Sequence, residues 1–361
     1  MKRIKFPDER VKVHGIPWFY DEGPSKGILW RAPQEYKAQM DPDLWATAGE
    51  LAGARLRFRS DTTAFRMKVT YPNTKAWPTA TFLSYFAITL YADGMLWNSI
   101  YPLSEYPFEA FAAHRDAENN EAAFQELEKE FFSDVEKKMR EFEIFLPTGT
   151  NVEVLELVMD DDAELLPPVD TYVLSKPIYI YGDSVVHGAS AHPGMTYPAI
   201  VGRMLNTDMV NAGYSGCAKG MKGEMLLAAE MAKRDAACYV LCYGANTRDP
   251  DLLEKIYYPF LKVLKDGAPD TPVVVMSLSY FPSEAWNKEL AEQKRRYNKT
   301  VVDSFEKGLA EGMEELYYLD AYSFLDGRGS DGTTDTRHLS DAGSYWFAEK
   351  LSAALRDILK I

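Results

Sequence analysis

The stretch IYIYGDS, residues 178–184, decides the fold of this 361-residue chain. Its four leading apolar residues predict a strand buried on both faces, because a strand with one solvated face would alternate apolar and polar side chains. Gly-Asp-Ser then ends the strand in a turn, and residues 196–206 have the pattern of a helix. A buried strand followed by a helix is the unit from which parallel sheets are built.

The same order recurs toward the C-terminus. Further strands are predicted by apolar runs at 209–211, 238–243, 273–276 and 316–319. Helices are expected between and after them, at about 221–233, 251–265, 284–312 and 341–359. Continuous apolar strands separated by helices predict an α/β domain whose parallel sheet is covered on both faces. Ligands of such sheets bind at the carboxyl ends of the strands, which is where the functional residues are expected.

The N-terminal half has a different period. Apolar and polar residues alternate in runs at 55–59, 65–71, 86–90, 142–146 and 152–155. The hairpin signal Asp93-Gly94 follows the third run. Strands of period two with one polar face predict an antiparallel β-sandwich.

One segment interrupts this alternation. Apolar residues three or four positions apart predict an amphipathic helix, an insertion near 114–142 that contains Phe124, Leu127, Phe131, Val135, Met139 and Phe142. Such a helix could pack against the sandwich or the neighbouring domain, or it could close over a site as a lid.

Acidic residues 160–162 and the pair Pro167-Pro168 mark a domain boundary. The expected division is a jelly-roll-like sandwich at 1–168 and a catalytic domain at 169–361. Three adjacent carboxylates also suggest a calcium loop, but the glycine and final glutamate of an EF-hand are missing, which favours a solvated turn.

Polar residues stand where three strands of the parallel sheet end. Ser184 begins a strand-to-helix turn, Gly216 follows the second strand, and Asn246 follows the third. These residues suit a reaction centre, because the serine supplies a hydroxyl, the glycine lets a ligand approach the backbone closely, and the asparagine amide can donate a hydrogen bond. Helix capping by the serine, a tight turn and an Asx-turn are the structural alternatives.

A histidine completes the set near the C-terminus. His338 follows Asp335 by three positions, and among the five histidines only His338 has an acidic residue at that offset. The carboxylate can hold the imidazole in one tautomer while its other nitrogen takes a proton from a nucleophile. A solvated loop is the alternative for this segment taken alone.

Residues 172–361 resemble the SGNH hydrolase superfamily, also called the GDSL esterases and acylhydrolases. The resemblance is carried by four sequence blocks that occur here in the family's order: Ser184, Gly216, Asn246, and Asp335 with His338. Val185 and Thr247 depart from the family's block one and block three. The resemblance implies a flavodoxin-like doubly wound parallel five-stranded sheet. Stretches 14–19, 55–71, 88–94 and 191–198 are similar to one bacterial branch of carbohydrate-esterase-like members with an N-terminal β-sandwich.

The resemblance also implies roles. Ser184 would be the nucleophile, His338 the base and Asp335 its orienting acid, while an oxyanion hole would combine the backbone N–H groups of Ser184 and Gly216 with the Asn246 amide. No metal and no cofactor is expected. Residues expected to line the substrate pocket are Asp183, His187, Tyr214, Tyr243 and Thr247. His192 could line the pocket as well. For both His187 and His192 the alternative is a purely structural role.

Composition limits the partners. The net charge of −14 disfavours nucleic acid and anionic membranes. Cys217 is expected to be exposed and Cys238 and Cys242 to lie in the core, and no secretory signal is visible, so we expect a cytoplasmic protein. The 22 Tyr and 7 Trp suit sugar-like ligands or simply fill the sandwich core.

The expected substrate is a small acyl ester, above all an acetyl ester of a carbohydrate or oligosaccharide. Lipid or thioester hydrolysis, and non-catalytic carbohydrate binding on a hydrolase fold, are the alternatives. Assembly into a homo-oligomer is left open.

Overall fold

The computed structural model describes residues 1–20, 22–23, 25–72, 81–101, 126–325 and 327–361. They divide into two compact units. The first contains Met1–Arg31, Gly49–Thr171 and His192–Gly194, and the second contains Ala32–Ala48, Tyr172–Ala191 and Met195–Ile361. The catalytic domain expected at 169–361 therefore lacks one piece of the second unit, residues 32–48.

The first unit consists of antiparallel sheets. Its strands are β1 (Lys2–Lys5), β2 (Lys12–His14), β3 (Trp18–Phe19), β4 (Leu29–Trp30), β5 (Arg55–Ser60), β6 (Phe65–Thr70), β7 (Ile88–Ala92), β8 (Met95–Ile100), β9 (Leu127–Phe132), β10 (Arg140–Phe145), β11 (Glu153–Met159) and β12 (Leu165–Leu166). One sheet has the order β1-β11-β6-β9, and the second has the order β12-β5-β10-β7-β8 with β2 also paired to β5.

The two larger sheets share a core of inward-facing apolar residues. The Phe58 ring of β5 lies 5.7 Å from the Phe65 ring of β6 and 5.3 Å from the Phe142 ring of β10. Their neighbours along the strands lie on the opposite face of the sheet, where Arg57 of β5 is paired with Glu143 of β10 and is itself buried. The predicted antiparallel β-sandwich is confirmed.

The predicted helical insertion is wrong within the described residues. Residues 127–132 and 140–145 form β9 and β10, while 114–125, with Phe124, lie outside the described part of the chain. The reason is that a spacing of four is a multiple of two as well as close to one helical turn. Leu127 and Phe131 therefore share the buried face of a strand, paired along β6.

The second unit contains the parallel sheet. Its strands are β13 (Ile178–Gly182), β14 (Met209–Gly213), β15 (Cys238–Cys242), β16 (Val273–Met276) and β17 (Leu316–Leu319). All four pairings are parallel, and the order is β14-β13-β15-β16-β17. Every residue of the first four strands is buried, as their continuous apolar sequence predicts.

Helices cover both faces of this sheet. Within the described residues, the α-helices are α1 (Pro42–Ala48), α2 (Phe82–Phe86), α3 (Ser184–His187), α4 (Tyr197–Leu205), α5 (Glu224–Ala232), α6 (Pro250–Gly267), α7 (Lys288–Ala310), α8 (Gly329–Gly332) and α9 (Asp341–Leu359). On one face α4 meets α9, with the Tyr197 and Phe347 rings 4.6 Å apart. On the other, Tyr181 of β13 stacks on Phe260 of α6 at 4.3 Å. The flavodoxin-like doubly wound sheet is confirmed.

Residues 32–48 pack within the second unit. The Asp41 N–H donates to the Lys222 carbonyl at 2.8 Å, and the Tyr36 hydroxyl donates to Glu230 at 2.8 Å. A contiguous boundary drawn from composition could not find this piece, because it joins the unit through contacts with residues far away in sequence.

Candidate active site

Ser184 is the first residue of α3, directly after the central strand β13. The Asp183 carboxylate caps this helix by accepting from the Val185 N–H at 3.1 Å, and Gly188 ends it with a left-handed φ of 88°. The helix is therefore a single short turn held between a cap and a glycine. Ser184 is 6% exposed, and its position is fixed by the surrounding core.

The Ser184 hydroxyl meets the histidine predicted from sequence. His338 Nε2 lies 2.8 Å from Ser184 Oγ, and His338 Nδ1 lies 2.7 Å from Asp335 Oδ2. An ionised carboxylate only accepts hydrogen bonds, so Nδ1 carries the proton and Nε2 is left to accept from the serine. Three residues separated by up to 154 positions thus form one hydrogen-bonded chain.

Asp335 is held by its own loop. Besides the imidazole, it accepts from the His338 N–H at 2.8 Å and from the Arg337 N–H at 3.1 Å. Burial raises the pKa of Asp335, but these hydrogen bonds and the His338 ring outweigh it and leave the pKa below its ordinary value. The carboxylate is consequently ionised at neutral pH, as the tautomer assignment requires.

Gly216 and Asn246 follow β14 and β15 at the same edge of the sheet. A Cβ built on Gly216 would meet no atom within 4 Å, so the backbone there borders open space. The Asn246 amide donates to the Cys217 carbonyl at 2.9 Å, which uses one of its two N–H donors and leaves the other. Among the described residues, neither the Ser184 nor the Gly216 backbone N–H donates a hydrogen bond.

The expected pocket residues occupy different places. Asp183 and His187 are buried within the α3 turn, and burial raises the pKa of Asp183. Thr247 is also buried, and its hydroxyl donates to the Gly244 carbonyl at 2.8 Å, so this departure from the family pattern serves its own turn. His192 belongs to the first unit.

Tyr214 and Tyr243 are core residues rather than pocket walls. Both are at most 1% exposed, and the Tyr243 ring stacks on Tyr257 at 4.7 Å. The reason is that they directly follow strands whose two faces are both covered by helices. Their position in sequence marks the edge of the sheet but not the direction of the side chain.

Cys217 is buried, which corrects the expectation that it is exposed. Its thiol lies 3.8 Å from the Thr47 hydroxyl, and that hydroxyl donates to the Ser215 carbonyl at 3.4 Å. Thr47 thus contacts the residues on both sides of Gly216. Sequence reasoning missed Thr47, because nothing in α1 indicates that it packs beside the second strand.

Sequence reasoning also missed a cavity of about 290 Å³ in this unit. Its lining includes Ala245 and Arg337, the residues directly before Asn246 and His338, together with Arg248 and Lys294. Lys294 is fully buried, and burial lowers its pKa to about 8, while Glu284 and Asp183 act in the opposite direction. The cations stand in separate segments, so no local motif announces them.

Comparison with family models identifies the chain. Residues 175–356, just over half of it, match the model of the GDSL-like lipase/acylhydrolase family. The chain belongs to this family. Residues 7–165 match the model of the N-terminus of SGNH-hydrolase-type esterases, so the predicted SGNH resemblance is confirmed over both units. The chain is accordingly an enzyme of the ester hydrolase class.

Solved structures share the fold over most or all of the chain. A protein from Bacteroides ovatus described as a GDSL-like lipase is 23% identical, with a TM-score of 0.84, and the match covers 100% of this chain and 99% of the other. Salicylyl-acyltransferase SsfX3 from a tetracycline biosynthetic pathway is 20% identical, with a TM-score of 0.75 and coverage of 98% and 97%. A family two carbohydrate esterase from Clostridium thermocellum is 14% identical, with a TM-score of 0.62 and coverage of 86% and 94%.

A search of curated proteins finds no match. Among the described residues, no helix combines the length and apolar composition that a membrane span requires. Within the same residues, no three His, Cys, Asp or Glu side chains are grouped so as to hold a metal ion.

Proposed function

We propose that the protein hydrolyses small acyl esters, above all acetyl esters of carbohydrates, through a serine acyl-enzyme. The observation that carries this proposal is the hydrogen-bonded chain from Asp335 through His338 to Ser184, with distances of 2.7 and 2.8 Å. An isolated serine hydroxyl is a weak nucleophile at neutral pH, and an adjacent base removes that limitation.

In the first step, Ser184 Oγ attacks the acyl carbonyl while His338 Nε2 takes its proton. Ionised Asp335 stabilises the imidazolium that forms and keeps Nε2 directed at the serine. His338 then gives the proton to the leaving alcohol, and the C–O bond of the ester breaks. Water, activated by His338 in the same way, releases the acid and restores the serine.

The negative charge that develops on the carbonyl oxygen needs donors already in place. The backbone N–H groups of Ser184 and Gly216 and the remaining Asn246 N–H supply three at one sheet edge. Because these donors are held by the fold before substrate binds, they stabilise the transition state with little reorganisation.

The substrate class is inferred from the shared fold. The sandwich and the sheet together occur in the carbohydrate esterase of Clostridium thermocellum, which favours an acylated sugar over a lipid or thioester. The similar fold of salicylyl-acyltransferase SsfX3 favours a second fate for the acyl-enzyme, transfer to an alcohol rather than to water. Both fates use the same first step.

Ser184→Ala tests the proposal. We expect hydrolysis of 4-nitrophenyl acetate to fall by at least about 10⁴-fold, with circular dichroism and unfolding temperature retained. A fluorophosphonate probe should label the wild-type protein at Ser184 and leave the variant unlabelled. Retained turnover in the variant would refute the assignment of the nucleophile, and an unlabelled wild-type serine would favour a binding protein.

A chain-length series of 4-nitrophenyl esters then tests the substrate class. Preference for acetyl supports the carbohydrate interpretation, whereas a rate that rises toward octanoyl contradicts it. Mass-spectrometric analysis of products from acetylated oligosaccharides, with and without added alcohol, separates hydrolysis from acyl transfer.

A further inference from the structure

The cavity of about 290 Å³ lies at the same end of the sheet as the triad. Two of its lining residues, Ala245 and Arg337, immediately precede Asn246 and His338. Phe281 and residues of α7 form other parts of its wall. A ligand group in this cavity would thus contact the backbone segments that carry Asn246 and His338.

The charge of this cavity is opposite to that of the chain as a whole. The protein has 54 acidic and 40 basic residues, yet the lining has Arg248, Lys294 and Arg337 and no acidic side chain. Neither Arg248 nor Arg337 forms an ion pair with any residue that the structure describes. Gln293 adds polar character, and its amide donates to the Arg248 carbonyl at 2.8 Å.

Lys294, the third cation of the lining, is buried and lies close to a carboxylate. Its ammonium lies 3.5 Å from the Phe281 ring centroid and 4.0 Å from Glu284 Oε1. Glu284 is itself occupied, since it accepts from the Phe281 N–H at 2.7 Å and from the Tyr322 hydroxyl at 3.0 Å. Glu284 and Asp183 both act on Lys294, so the positive charge of the lining that has no carboxylate partner among the described residues comes from Arg248 and Arg337.

We propose that this cavity binds a carboxylate of the ester substrate through Arg248 and Arg337, an inference that rests on the proposed function. A guanidinium presents two parallel N–H donors that match the two oxygens of a carboxylate. Binding would satisfy two arginines that have no acidic partner among the described residues. The carboxylate belongs either to the acyl group, as in a half-ester of a dicarboxylic acid, or to the alcohol, as in an acetylated uronic acid.

Two matched pairs of substrates distinguish these sources. The first compares 4-nitrophenyl hemisuccinate with neutral 4-nitrophenyl butyrate, and the second compares an acetylated glucuronide with its methyl ester. The quantity measured is the ratio of kcat/KM for the charged ester to that for the neutral one. We expect one pair to give a ratio of about ten or more, because a hydrogen bond to a charged group contributes on that scale.

Arg248→Gln and Arg337→Gln should each lower this ratio by about tenfold. The matched control is Arg295→Gln, since Arg295 is an exposed residue of α7 that pairs with Glu292 and does not line the cavity. Its ratio should equal that of the wild type. Ratios at or below one in both pairs, or ratios that the two arginine variants leave unchanged, would overturn the inference while the neutral esters still establish the hydrolase.

A binding experiment keeps the inference testable without turnover. Isothermal titration of the wild-type protein with succinate and with glucuronate should show binding that the Arg248→Gln/Arg337→Gln double variant loses and Arg295→Gln retains. Absence of binding to the wild type contradicts the inference. Loss of all esterase activity together with an unlabelled Ser184 would instead refute the proposed function.

Discussion

The turn that holds Ser184 and the loop that holds His338 are built in different ways. Ser184 follows a strand buried along its whole length, and a Cβ on Gly213 of the adjacent strand would lie 2.3 Å from the His187 nitrogen of α3. Backbone packing thus fixes the position of Ser184. The conformation of this turn depends little on solvent-exposed hydrogen bonds.

The His338 loop is held by hydrogen bonds within itself. The side chains of His338 and Asp335 are 15% and 26% exposed, and Thr334 N–H donates to the His338 carbonyl at 2.9 Å. Ser340 ends the loop by capping α9, where its hydroxyl accepts from the Gly343 N–H at 3.2 Å. Substitutions in the turn should therefore act on stability, and substitutions in the loop should act on activity.

The sharpest test of the loop is Asp335→Asn. The amide keeps the shape but can present an N–H to the imidazole, which favours the tautomer that cannot accept from Ser184. We expect kcat for 4-nitrophenyl acetate to fall by about 10⁴-fold, as loss of the orienting carboxylate does in other triads. Measurement of kcat tests this expectation, and the unfolding temperature checks that the variant remains folded. A fall below tenfold would mean that the backbone of the loop, not the carboxylate, orients the ring.

Asn246→Ala tests the opposite side of the carbonyl. We expect kcat to fall by about 10²- to 10³-fold with KM nearly unchanged, because an oxyanion donor acts mainly in the transition state. The control is Asn298→Ala, since Asn298 belongs to α7 and its amide contacts Leu278 outside the triad. An effect of Asn246→Ala on KM alone would make Asn246 a binding residue.

Much of the site could be predicted because each block is local. The apolar run ending in Gly-Asp-Ser indicated where Ser184 lies, and the offset of three between Asp335 and His338 indicated their pairing. The parallel sheet could be predicted because its strands are apolar along their length and alternate with helices. These signals need no knowledge of distant contacts.

The remaining features depend on contacts that the local sequence does not contain. Leu127 and Phe131 fit a helix or a strand equally well, and pairing with β6 decides between them. The burial of Cys217 depends on Thr47, 170 positions earlier in the chain. The positive cavity gathers three cations from three segments, each of which alone resembles an ordinary polar surface.

Gly213→Ala sharpens the comparison on the side of the turn. The added Cβ would meet the backbone of His187 at 2.3 and 2.8 Å, and backbone cannot move aside as a flexible side chain can. We expect the free energy of unfolding to fall by about 3 kcal/mol, the upper range for an overpacked core. Urea denaturation measures it.

Gly216→Ala is the matched control for that measurement. Its Cβ would enter open space, and only its φ of 73° is unfavourable for alanine, so a loss of about 1 kcal/mol is expected. Equal losses in the two variants would contradict the idea that packing, rather than backbone conformation, fixes the turn that holds Ser184.

The smallest effect should come from Thr336→Asn within the loop. Thr336 has a φ of 66°, a left-handed conformation that a β-branched residue adopts unfavourably and asparagine tolerates. We expect the free energy of unfolding to rise by no more than about 1 kcal/mol. Activity should stay within about twofold of the wild type, because Asp335 and His338 keep their hydrogen bonds. Thermal unfolding and kcat measured on the same preparation test both parts. A gain in stability accompanied by a tenfold loss of kcat would show that the strained conformation itself sets the position of His338, and that the loop is as rigidly specified as the turn.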